Sequence, residues 1–174
     1  MSENRFLSYI LTEGLLLIVL ALIILILPKV TDFSFGFVLC LILIIYGGYK
    51  MITSFLSRNF DRYFILNILA SGILLITGLT MLILPVIDMT IIVSVLGIYF
   101  VVQSILTNSF LLQIKAVLNF PKLTCLFSII QLFFGVLLIT FLPTLWVSGI
   151  LVGLNFLLAG VILINMYITK KLTV

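Results

Sequence analysis

Histidine is absent from this 174-residue chain, which removes the side chain best suited to shuttling protons near neutral pH and the commonest metal ligand. Charge is almost as scarce. Asp, Glu, Lys and Arg together make up 8% of the residues, too few to coat a water-soluble domain of this size, and no carboxylate cluster is available to cage a cation. The two cysteines, Cys40 and Cys125, both fall in or beside apolar runs, where they act as small packing groups. No HExxH, no GxSxG and no glycine-rich loop leading into GK[ST] occurs. The expectation is therefore a protein without enzymatic activity, cofactor or metal. A net charge of +4 is no sign of nucleic-acid binding, because the basic residues follow topology, as set out below.

What the chain has in excess is apolar length. It is 64% hydrophobic, with a mean hydropathy of +1.51, and its apolar runs are continuous rather than alternating. In lipid every backbone donor and acceptor must be satisfied within the structure, which leaves helices or closed barrels; runs without period-two alternation select helices. Six spans are placed at about residues 8–27, 34–56, 64–84, 89–112, 123–142 and 145–168, each long enough to cross a hydrocarbon core of about 30 Å. The N-terminus lacks a clustered basic region and a cleavage site, so the first span reads as a retained helix rather than a signal peptide.

An apolar run, a proline, a short polar turn and a second apolar run make a hairpin that recurs three times, at Pro28, Pro85 and Pro143, spaced by 57 and 58 residues. Proline lacks the amide donor and disfavours helix in the residue before it, so each one ends an outward-going helix. The repeats cover about residues 8–56, 64–112 and 123–168 of a single transmembrane domain spanning 1–174. With two spans in each, all three enter the membrane in the same direction, unlike the inverted repeats of many transporters. The fold expected is all-α: six transmembrane helices arranged as three parallel proline-turn hairpins.

Arg5, Lys50, Arg58, Arg62, Lys115, Lys122, Lys170 and Lys171 fall on the side that holds both termini, and only Lys29 on the other. That asymmetry predicts cytoplasmic termini. Lys50, Arg58 and Arg62 with Asp61, then Lys115 and Lys122, read as a basic cytoplasmic rim attracted to anionic lipid headgroups.

Small residues recur in the second helix of each hairpin. One column reads Cys40, Gly97, Gly153; a second, seven residues on, reads Gly47, Ser104, Gly160; a third, four residues before the first, reads Gly36, Val93, Gly149. Seven residues is about two turns, so the columns share a face, and such faces let helix backbones approach closely in lipid. A compact bundle is expected, packed through these faces around a pseudo-threefold axis.

Glu13 is the one acidic residue inside a span, and an intramembrane carboxylate is by default a functional candidate, here a proton acceptor. Ser71 in the third span and Gln131 early in the fifth hold comparable places, so the three are candidates for one small polar site. Asn67, Gln103 and Asn155 are further intramembrane amides, whose ordinary use is interhelical hydrogen bonding.

The series Gly14, Pro28, Gly47, then Gly72, Gly78, Pro85, Gly97, then Gly135, Pro143, Gly153, Gly160 resembles the HdeD family of bacterial acid-resistance membrane proteins, from about Gly14 to Asn165; Val93 and Ser104 stand where that pattern has glycine. The resemblance implies a protein of the bacterial inner or plasma membrane linked to survival in acid, and it carries over no catalytic or ligand-binding residues. Three readings remain open. A scaffold acting through packing, lipid or partners buries all its small faces. A small channel or transporter for protons or a weak acid has a water-accessible path to Glu13. An accessory or immunity-type subunit, or a homo-oligomer, leaves a small-residue face unpaired on Gly36 or Gly149.

Overall fold

The computed structural model describes residues 3–26, 32–57, 64–83, 89–114, 122–140 and 145–171. These are six helices: α1 (Glu3–Ile26), α2 (Asp32–Ser57), α3 (Phe64–Ile83), α4 (Met89–Ile114), α5 (Lys122–Thr140) and α6 (Leu145–Lys171). All six are long and apolar enough to cross a membrane, and the chain is an all-helical, multi-pass membrane protein. The expected spans match these helices closely. The largest differences are at the termini, where α1 begins at Glu3 and α6 runs to Lys171. Hydropathy registers only the part of a helix that apolar residues fill, from Ser8 in α1 and to Thr169 in α6, whereas backbone hydrogen bonding continues through the polar flanks. Pro28, Pro85 and Pro143 lie outside the described residues.

The closest helix pairs join successive repeats rather than the two halves of one hairpin. α2 packs most intimately on α3, α4 on α5, and α6 on α1, with lighter contacts inside the hairpins. The six helices thus form a closed ring with three tight seams. The even helices line its centre: over an apolar 18-residue stretch of each helix, 44, 39 and 44% of the residues of α2, α4 and α6 are buried, against 28% in each odd helix. Leu43, Phe100 and Phe156, equivalent in the three repeats, are fully enclosed. Phe100 and Phe156 meet edge to face at 5.3 Å, and Tyr46 meets Phe156 at 5.6 Å, a geometry that aromatic quadrupoles favour.

The small-residue columns are what make the seams tight. At α4–α5, a Cβ on Gly97 would sit 2.9 Å from the carbonyl oxygen of Gly135, and one on Gly135 would sit 3.1 Å from that of Gly97. At α6–α1, Gly160 faces Gly14 in the same way, at 2.7 Å from its carbonyl oxygen. At α2–α3, Gly47 lies against the backbone of Leu75 and Gly78 against that of Ile44, while the Cys40 thiol donates to the Gly78 carbonyl at 3.0 Å. Ser104, the serine in a glycine column, donates across α4–α5 to the Ser128 carbonyl at 2.6 Å. Gly153 packs on Ile24 and Leu25 of α1. Gly149 is buried and Gly36 half-buried.

Gly72 provides the contrast. An added Cβ there meets nothing within 4 Å, so only the conformational entropy of glycine counts. Gly72→Ala is expected to raise the stability of the bundle by about 0.5–1 kcal/mol. Unfolding in detergent micelles checks this, and a loss of stability would mean that the α3 face carrying Gly72 is packed after all.

Candidate functional site

Glu13 lies five residues into the apolar part of α1, which begins at Ser8, and Lys50 lies six residues before its end at Leu56 in α2. At 1.5 Å per residue both are about 8–9 Å inside the span. Facing each other across adjacent helices, they form an ion pair, with Lys50 Nζ 3.5 Å from Glu13 Oε1 and side-chain exposures of 4 and 16%. Lipid offers neither charge any solvation, and proximity to the opposite charge is what makes both tenable there.

The pair is embedded in a hydroxyl and amide network drawn from α1, α2 and α4. Lys50 Nζ donates to Gln103 Oε1 at 2.9 Å, to the Tyr99 hydroxyl at 3.3 Å and to the Tyr46 hydroxyl at 3.4 Å. The Tyr99 hydroxyl donates to that of Tyr46 at 3.2 Å, which donates to Glu13 Oε1 at 3.2 Å. The ammonium also sits 5.7 Å from the centres of both tyrosine rings, within reach of their π faces. Helix geometry explains the convergence. Leu43, Tyr46, Gly47 and Lys50 fall three and four residues apart on the buried face of α2, and Tyr99 and Gln103 do so on α4. The site has no net charge. It can tie three helices together, and its hydroxyls form a directed chain, Tyr99 to Tyr46 to Glu13, that ends on a carboxylate.

Of the three candidates from sequence, only Glu13 belongs to this cluster. Ser71 is buried in α3 and donates to the Ile68 carbonyl of its own helix at 2.9 Å. Gln131 is buried in α5 at 1% exposure, with no hydrogen-bond partner for Nε2 among the described residues. The expectation of one site shared by Glu13, Ser71 and Gln131 is corrected by repeat register. A step of 57 residues carries Glu13 to Ala70 and Phe127, whereas Ser71 matches Gly14 and Ser128, and Gln131 matches Leu17 and Leu74. Gln131 is thus a full turn deeper than Glu13.

Lys50 needs the opposite correction. Counted with the cytoplasmic rim, it is instead buried in the bundle, three residues after Gly47 on the packing face, and that spacing is the signal that locates it. Arg58, Asp61, Arg62 and Lys115, assigned to the same rim, lie outside the described residues. Tyr46 and Tyr99 carry no such signal: each is buried, but six residues after Cys40 and two after Gly97 turn them away from the small-residue seams and toward Glu13 and Lys50.

A family model described as a short repeat of unknown function (DUF308) matches residues 12–83 and again 69–140. No curated protein and no solved structure matches the chain. The two matches are offset by 57 residues, the interval between Pro28 and Pro85, and together run from residue 12 to residue 140. Each takes in three helices and contains one tight seam, α2–α3 in the first and α4–α5 in the second. The third seam is made by α6, which lies outside both matches, against α1.

Proposed function

The chain belongs to the short-repeat family DUF308, and on that footing we propose that it is an HdeD-like, non-enzymatic protein of acid or stress tolerance. HdeD proteins are members of this family. In this reading the protein resides in the bacterial inner or plasma membrane with both termini cytoplasmic, its basic rim against anionic headgroups. The carrying observation is that the small-residue faces are spent inside the ring: Gly14, Gly47, Gly78, Gly97, Gly135, Gly153 and Gly160 all face a neighbouring helix of the same chain. A closed bundle with its one described ion pair compensated internally suits a scaffold that acts through its lipid-facing surface. The accessory-subunit reading looked to Gly36 or Gly149 for an unpaired face; Gly149 is buried and Gly36 half-buried.

Deleting the gene in its native bacterium and measuring survival after an acid challenge tests the role. Survival should fall and return with a wild-type copy; unchanged survival across acid and other envelope stresses would sink the proposal.

The hydroxyl chain ending at Glu13 favours a second reading, a proton-coupled channel or transporter. Proteoliposomes under an imposed pH gradient separate the two. The scaffold reading expects no flux above empty liposomes, whereas flux that Glu13→Gln abolishes would establish the second reading and displace the first.

A further inference from the structure

Two enclosed amide atoms have no hydrogen-bond partner among the described residues: Nε2 of Gln131 on α5 and Oδ1 of Asn155 on α6. Gln131 is 1% exposed and Asn155 0%. The orientation of Asn155 is set by its own helix, since Nδ2 donates to the Leu151 carbonyl at 3.0 Å, which leaves Oδ1 as the unspent acceptor. An enclosed polar atom left unpaired costs about 1–3 kcal/mol, and a bilayer offers no water from the lipid side to relieve it.

The two amides share a depth. Gln131 is nine residues before the end of α5 at Thr140, and Asn155 ten residues after the start of α6 at Leu145. Those offsets correspond to about 13 and 15 Å along two helices that pack against each other. The repeats also single them out. The positions equivalent to Gln131 are Leu17 and Leu74, and those equivalent to Asn155 are Ile42 and Tyr99, all buried. Only the third repeat sets amides at both columns, one presenting a donor and the other an acceptor.

We infer that the third repeat contains a hydration site near mid-membrane between α5 and α6, where a buried water accepts from Gln131 Nε2 and donates to Asn155 Oδ1. Water matches this chemistry because it donates and accepts at once, and buried waters persist where two to four polar partners converge. The site falls in the layer of Tyr99, the far end of the network that begins at Glu13. The polar interior therefore extends from the Glu13 level to mid-span, on different helices at its two ends. This inference is independent of any acid-tolerance role.

The test is nuclear magnetic resonance of the full chain in lipid nanodiscs with 15N in the glutamine side chains. The chain has three glutamines, Gln103, Gln113 and Gln131. The signal of Gln131 is assigned by its loss in Gln131→Leu, which restores the residue of the other two repeats, or by elimination using Gln103→Ala and Gln113→Ala. The expected result is dipolar magnetisation transfer from water to the Gln131 side-chain protons, abolished by Asn155→Leu. Absence of transfer in the wild type would overturn the inference, because protein atoms would then satisfy the amide. Transfer that survives in a folded Asn155→Leu would overturn the shared site.

Discussion

Neutralising Glu13 alone is expected to destabilise the bundle more than replacing the whole ion pair. Glu13→Gln keeps the volume and an acceptor for the Tyr46 hydroxyl but strands the Lys50 ammonium, 4% exposed, without a counter-charge. Breaking a buried pair from one side costs on the order of 3 kcal/mol, whereas exchanging both members for neutral residues of similar volume is often nearly neutral. The low end of the range applies here, since a helix unfolded within the membrane still finds polar partners. Lys50→Met is expected to cost less than Glu13→Gln: the remaining carboxylate is 16% exposed and still accepts from Tyr46. The double variant Glu13→Gln, Lys50→Met should recover most of the loss. Denaturant unfolding of the four proteins in micelles gives the coupling directly as a double-mutant cycle. Additive losses would show that Lys50 is held by Gln103, Tyr99 and Tyr46 rather than by Glu13. Salt should change little, because an enclosed pair is poorly screened.

The helices were legible because their signal is long and redundant. Some twenty apolar residues in a row admit one structure in lipid, and an error of two residues at an end changes nothing. Partner choice was harder to read. The columns of Cys40, Gly97 and Gly153 and of Gly47, Ser104 and Gly160 say that a helix face is narrow enough for close approach, but not which helix approaches. The answer lies in the odd helices, whose Gly14, Gly78 and Gly135 are less regular in spacing, so the pairing of α2 with α3 rather than α1 was not visible. The candidate site was half legible. Glu13 stood out as a lone intramembrane acid, while Lys50 was assigned to the membrane boundary by the rule that places lysines there. That rule averages over helices and ignores faces. Lys50 follows Leu43, Tyr46 and Gly47 on the packed side of α2, and this periodicity outweighs its nearness to the end of the span. Distance from a helix start, which groups Ser71 and Gln131 with Glu13, differs between repeats, and the 57-residue step that relates the odd helices is the reliable ruler.

The seams yield a ranking that distances alone would not. Added Cβ atoms at Gly97, Gly160 and Gly153 would approach their nearest neighbours at 2.7, 2.7 and 2.8 Å, so steric distance predicts three similar penalties. The identity of the neighbour separates them. At Gly160 the obstructing atom is the Gly14 carbonyl oxygen, and at Gly97 the Gly135 carbonyl oxygen lies at 2.9 Å behind the Ile139 side chain. Backbone atoms of a helix cannot turn aside, so relief requires the helices to move apart along the whole seam. At Gly153 the obstructing atoms are the branched end of Leu25 and a methyl group of Ile24, which can change rotamer. Gly97→Ala and Gly160→Ala are each expected to cost about 2–3 kcal/mol, and Gly153→Ala about 1 kcal/mol, within the range of overpacked interiors. Gly97→Leu should part α4 from α5 and take with it the Ser104–Ser128 hydrogen bonds. Thermal unfolding in micelles ranks the alanine variants, and a disulfide placed across α4–α5 reports the separation. If Gly153→Ala proved as costly as Gly97→Ala, side-chain relaxation would be ruled out, and the ring would be rigid on its α1–α6 side as well as at its glycine-to-glycine contacts.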